Sequence, residues 1–157
     1  MKILLLTSND SPLEGVFQTW GDELVKRTDP LTSGTLAASH FDFLISHGYR
    51  HILRKPVLDQ FPNHAINLHI SLLPWNRGAD PNFWSFLENT PKGVTIHHID
   101  PGVDTGDIIA QREVRVRTND TLSTSYARLQ AEIVILFHEQ WPAIRAGRSR
   151  RSAAHIA

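Results

Sequence analysis

The 157-residue chain contains no cysteine, which excludes a disulfide framework, a thiolate metal site and a cysteine nucleophile. It also has no excess charge of either sign. Sixteen Lys and Arg stand against sixteen Asp and Glu, so the chain lacks the long-range field expected of a nucleic-acid binder. Long apolar runs are missing as well. The opening MKILLLTSND has one basic residue and reaches a turn cluster after Leu6, too short for a signal segment or a membrane span, and no later stretch approaches about 18 apolar residues. The sequence therefore predicts a cytoplasmic protein with no membrane and no nucleic-acid partner. No internal repeat is visible.

What is present suits one globular domain. Hydrophobic residues make up 41% and charged residues 20% of the chain, enough apolar surface for a single core at this length. KILLL at residues 2–6 reads as a fully buried strand, and Pro12 followed by Leu13, Val16, Phe17 and Trp20 reads as a helix. ELVKRT (23–28) suits a short edge strand, and Asp29-Pro30 breaks the chain before a short helix near 32–39. FDFLIS (41–46), AINLHI (65–70), GVTIHHI (93–99) and IIAQREVRV (108–116) read as further strands. VLDQF after Pro56 and residues 82–87 read as helices between them. Strands alternating with helices predict an α/β fold: one Rossmann-like domain with a mostly parallel central sheet flanked by helices. Asp120 is the expected cap of a long C-terminal helix, with Leu122, Tyr126, Leu129, Ile133 and Leu136 on a core-facing stripe. The domain is expected to span residues 1–147. Residues 148–157, Arg-rich and without apolar partners, read as a disordered tail that folding does not need.

Asn67 and His69 lie two apart on a strand and so share a face. Left unpaired in a core they would each cost about 1–3 kcal/mol, so either something satisfies them or they border a cavity. The turn-rich SLLPWNRGA that follows favours the cavity, because ligands bind at strand ends in α/β sheets. Histidine moves protons near neutral pH, and an asparagine amide can donate to an oxyanion. The missing carboxylate is available in DPGVDTGD as Asp100, Asp104 or Asp107, of which Asp100 and Asp107 read first as turn formers. His51, His97 and His98 raise the question of a metal. Neighbouring His97 and His98 point to opposite faces of a strand, so no metal is expected.

INLHISLLPWNRGADPNFWSF followed by KGVTIHHIDPGVDTGDIIAQ resembles the 10-formyltetrahydrofolate-dependent formyltransferases. The shared pattern is Asn67-x-His69, the loop Ser71 to Pro74 with Gly78, and Val103 to Gly106, and the likeness runs from about Phe41 to Val116. It is strongest to enzymes acting on amino sugars attached to nucleotides. The resemblance implies an N-formyltransferase that moves a formyl group from 10-formyltetrahydrofolate, as co-substrate and without metal, to the primary amine of a small acceptor. Asn67 would donate to the oxyanion, His69 would stabilise it and move protons, and Asp104 would pair with His69 and help deprotonate the amine. Tyr49, Arg50, His51, Ile52 and Leu53, with Asp100, Gly102 and Val103, would hold the pterin, largely through backbone groups. The tRNA-gripping C-terminal domain of the methionyl-tRNA enzymes has no counterpart in these residues, nor has the N-terminal regulatory domain of the folate hydrolases, so a small amine is the expected acceptor. A formyltetrahydrofolate hydrolase or a silent binding module of the same fold are the alternatives. Trp75, Phe83 and Trp84 are candidates for an apolar patch joining two copies.

Overall fold

The structure is a computed structural model and describes residues 1–8 and 10–154. Its centre is a six-stranded sheet in the order β2-β1-β3-β4-β5-β6. The strands are β1 (Lys2–Leu6), β2 (Glu23–Arg27), β3 (Phe43–His47), β4 (Ala65–His69), β5 (Gly93–His98) and β6 (Ile108–Glu113). The first four run parallel, and β5 and β6 are each antiparallel to the preceding strand. β1 sits inside the sheet with Ile3, Leu4, Leu5 and Leu6 all fully buried, which is why it reads as an unbroken apolar run rather than an alternation.

Helices cover both faces. On one lie α1 (Glu14–Thr19) and α5 (Leu122–Arg145), packed on Ile3, Leu5, Phe43, Ile45, Ile66 and Ile96. Trp141 anchors this layer, fully buried with Phe17 and Phe43 edge-on at 5.6 and 5.4 Å; ring pairs of this geometry add about 0.5–1.5 kcal/mol to the area they bury. Arg145 ends α5 by pairing with the buried Asp22 at 2.7 Å and covering the Trp20 ring. The other face carries α2 (Ser33–Leu36) and α3 (Lys55–Leu58) over Leu4, Leu6, Leu44 and Leu53. The last helix, α4 (Pro81–Leu87), follows the turn-rich loop after β4.

Three expectations differ from the structure. Thr121, not Asp120, caps α5: its extended backbone lets the side chain accept from the Thr124 N–H, and Thr124 returns the bond. Asp120 instead binds the Arg128 guanidinium. The α5 stripe buries Leu129, Ile133 and Leu136, but Leu122 and Tyr126 are about half exposed, because they border an open cavity rather than the core. Finally, residues after Gly147 meet the body of the protein. Ser152 forms an antiparallel bridge with Ile108 on the outer edge of β6, and Arg151 reaches Asn63 at 2.9 Å. These contacts are made by backbone and polar groups, which a search for apolar faces does not detect. Residues 155–157 lie outside the described residues.

Candidate active site

β4 ends in Asn67 and His69, on the face opposite α5. The chain then enters the loop 71–80, which is fastened rather than loose. Thr95 Oγ1 donates to Ser71 O at 2.7 Å, Gln111 Nε2 donates to Leu73 O at 2.7 Å, and Ser71 Oγ donates to Trp75 O at 2.8 Å. The Asn76 side chain is held between Thr90 and Glu88. Gly78 takes φ +86°, a left-handed value glycine adopts without strain. The consequence is two fixed backbone groups, Asn76 O and Gly78 N–H, beside the end of β4.

The loop after β5 brings Asp104 to the same place. It turns tightly: Asp100 Oδ1 accepts from Gly102 N and Thr105 Oγ1, and a Cβ at Gly106 would lie 1.8 Å from His98 O. Asp104 itself has φ +51°, and its carboxylate becomes the hub of the site. Oδ2 accepts from Gly78 N at 2.8 Å. Oδ1 accepts from Asn67 Nδ2 at 3.2 Å and lies 3.2 Å from His97 Nε2, while Asn67 Nδ2 and His97 Nε2 are 3.3 Å apart. Burial pushes the Asp104 carboxyl up, but hydrogen bonding from His97, the neighbouring imidazoles and the Gly78 N–H outweigh it and hold the group at about 2.

His69 is nearly buried, and its Nε2 lies 3.0 Å from Asn76 O. A carbonyl only accepts, so the proton sits on Nε2. Burial pushes the imidazole's pKa down, against the pull of Asp104, and favours the neutral ring. Neutral with Nε2–H, the ring keeps its lone pair on Nδ1. Asp104 Oδ2 is 3.6 Å from His69 Nε2, within ionic reach but beyond a hydrogen bond. With His69 neutral, stabilising the Asp104 charge falls to the Gly78 N–H and the Asn67 amide. His97 Nδ1 lies 2.8 Å from His98 O, a carbonyl that only accepts, so His97 Nε2 donates to Asp104 only in a ring that carries both protons and otherwise accepts from Asn67 Nδ2.

Around this centre opens a cavity of about 1050 Å³. Tyr49 to Leu53 and Asp100, Gly102 and Val103 all border it together with Asn67, His69 and Asp104. Among the described residues, no group of three or more His, Asp or Glu is arranged to hold a metal ion. Nor is any of their helices long and apolar enough to cross a membrane.

A family model described as formyl transferase matches residues 9–139. The chain belongs to this family. Among solved structures, the formyltransferase PseJ from Anoxybacillus kamchatkensis, in complex with UDP-4,6-dideoxy-4-formamido-L-AltNAc and tetrahydrofolate, is 49% identical with a TM-score of 0.95; the match covers 100% of this chain and 83% of that one. A 4-N formyltransferase from Francisella tularensis shares the fold at 23% identity and a TM-score of 0.86, over 99% of this chain and 73% of that one. Among curated relatives, a methionyl-tRNA formyltransferase of Anaeromyxobacter sp. (strain K) is 42% identical over 68% of this chain and 36% of its own length. The chain thus spans about a third of the curated relatives it matches.

Sequence reasoning singled out Asn67, His69 and Asp104, and this formyl transferase family fold brings them together. It missed His97, weighed there only as a metal ligand. The detectable signal was the antiparallel register, which sets His97 directly beside Asn67. It also missed the parts of Gly78 and Asn76, because backbone groups carry no signature of their own.

Proposed function

We propose that the chain is a 10-formyltetrahydrofolate-dependent N-formyltransferase whose acceptor is the amine of a nucleotide-linked amino sugar. The observation that carries this reading is the buried Asp104 carboxylate, held by Gly78 N–H and Asn67 beside His69 and His97, at the floor of a large cavity. The likeness at 49% identity to PseJ, bound to a formamido sugar nucleotide and tetrahydrofolate, supports the acceptor class.

The folate is the formyl donor, and the residues fit it. Ile52 and Val103, 75% and 59% exposed, give its ring apolar walls, and the 49–53 and 100–103 segments offer main-chain groups. In the reaction the amine nitrogen bonds to the formyl carbon, and the bond from that carbon to the folate nitrogen breaks. Asp104, anionic at neutral pH, takes the proton the attacking amine must lose. The departing folate nitrogen must gain a proton in turn: either Asp104 returns the one it has taken, or the His69 Nδ1 lone pair first accepts a proton from the tetrahedral intermediate and passes it on. Asn67 donates to the oxyanion by releasing one of its present acceptors. His97 is a positioning residue: with Nδ1–H donating to His98 O, its Nε2 accepts from Asn67 Nδ2 and holds that amide beside Asp104.

The test is turnover with 10-formyltetrahydrofolate, following tetrahydrofolate release with and without a nucleotide-linked amino sugar. Amine-dependent release is expected, with no activity on charged tRNA. Equal release in both conditions would make the chain a hydrolase of the same folate.

A further inference from the structure

The cavity has two flanks, and only one is accounted for by the folate. The other lies on the α5 side of the sheet. Phe83, Leu122 and Tyr126 border it with 48%, 45% and 48% of their surface exposed, a cluster of large apolar side chains that the fold leaves uncovered at positions where a helix stripe would normally be buried. The flank is rigid. Asn82 locks α4 to α5, donating to Leu122 O at 2.9 Å and accepting from Ser125 Oγ at 2.8 Å.

Deeper in, a polar relay sets one donor. Ser11 Oγ accepts from the Leu13 N–H and lies 3.1 Å from His47 Nδ1, and His47 Nε2 lies 2.8 Å from Gln130 Oε1. With the Ser11 hydroxyl donating to Nδ1, the imidazole proton is on Nε2 and donates to Gln130 Oε1. Burial pushes the His47 pKa down and so favours this neutral form. The Gln130 oxygen is thereby engaged, and its NH2 group is left with no partner among the described residues, on a side chain that borders the cavity.

Charge narrows what such a wall can hold. No Lys or Arg lines this flank; the cavity's one lining guanidinium, among the described residues, is Arg50 in the 49–53 segment opposite. A phosphomonoester would find no counter-charge here, whereas an uncharged ring with C–H faces and oxygen acceptors meets an aromatic platform and an amide donor. Resting on the reaction proposed above, we infer that Phe83, Leu122, Tyr126 and Gln130 form the acceptor wall. It seats the uncharged, amine-bearing ring of the sugar, with Gln130 donating to a ring substituent oxygen and phosphoryl groups kept outside it.

Steady-state kinetics on Tyr126→Ala, Tyr126→Phe and Gln130→Glu test this, with thermal melts to confirm folding. Gln130→Glu keeps an oxygen for His47 but removes the NH2 donor. The KM for a nucleotide-linked amino sugar should rise about tenfold or more in Tyr126→Ala and Gln130→Glu, and stay within about threefold in Tyr126→Phe. The KM for 10-formyltetrahydrofolate should stay within about twofold throughout. An unchanged acceptor KM in both variants, or equal rises in both KM values, would overturn the wall. Should the unaltered protein transfer formyl to no amine, the reaction proposed above falls, and calorimetric titration of the nucleotide-linked amino sugar decides the wall by itself. Weaker binding to Tyr126→Ala than to the unaltered chain supports it, and equal or absent binding to both overturns it.

Discussion

Replacing Asp104 by Asn separates the charge of the hub from its shape. Asp104 occupies a left-handed backbone conformation at φ +51°, which asparagine adopts at least as readily, so the variant adds no backbone strain that Asp104→Ala would introduce. What changes is the carboxylate. A group held at about 2 in the fold against 3.8 unfolded contributes at most about 2 kcal/mol at neutral pH, at about 1.4 kcal/mol per tenfold, since part of the depression comes from the His69 charge and the ring is neutral there. Because the folded value is the depressed one, that stability is present above about pH 4 and is lost as pH falls toward 2. Asp104→Asn should therefore melt at most about 4–8 °C below the unaltered chain at pH 7, and the gap should close only under strong acid.

Its effect on turnover should be larger than on stability. The amide can hold position, but it cannot take the amine's proton, so a loss of about 10²–10⁴-fold in kcat is expected with folate binding retained. The melt and the kinetics are read on the same preparation. A folded Asp104→Asn that binds folate and turns over within tenfold of the unaltered chain would refute the proton-acceptor assignment. A melting point unchanged at pH 7 would refute the stabilisation inferred from its hydrogen bonds.

His69→Ala should lower kcat by orders of magnitude, and the His69→Ala, Asp104→Asn double variant should be little worse than either single one if the two act as a unit; additive losses would separate them. Asn67→Ala should cost about 10²–10³-fold in kcat if its amide is the main oxyanion donor, read in the same turnover assay. His98 is nearly buried, and burial together with Arg151 lowers its imidazole to about 4. The unfolded chain then binds the extra proton first, so stability should fall by about 2 kcal/mol as pH drops from 6.5 toward 4, and urea midpoints of His98→Gln should lack that slope. A chain ending at Gly147 should lose about 1–2 kcal/mol in denaturant, since Ile108 loses its bridge and Arg77 its bond to Ala154 O. An unchanged midpoint would show that these contacts carry no stability.

The parallel half of the fold was legible because it is written locally. Residues 3–6 and 43–46 are buried on both faces, and the chain turns abruptly polar at both strand ends. Asn67 and His69 were legible for the opposite reason, being polar where a central strand should be apolar. What stayed hidden depended on partners distant in sequence. The exposure of Leu122 and Tyr126 follows from the cavity they border, which helical periodicity alone does not record. The tail's bridge to Ile108 uses main-chain atoms, to which any side chain is equivalent. Asp120 and Thr121 are both good caps by composition, and the choice fell to Thr121 because Arg128, eight residues on, claims the carboxylate.

His97 explains why the site sits where the sheet changes direction. β5 runs antiparallel to β4, its His97 pairs across from Asn67 near the end of the strand, and the chain leaving β5 folds back to return to the site. That return is the tight 100–106 loop, closed where His98 O leaves no room for a Cβ at Gly106. Asp104 thus meets Gly78 N–H from the loop after β4 and Asn67 from β4 itself, with His97 of β5 alongside. A buried carboxylate that accepts from the Gly78 N–H and the Asn67 amide can stay anionic at neutral pH, with the His69 ring 3.6 Å away.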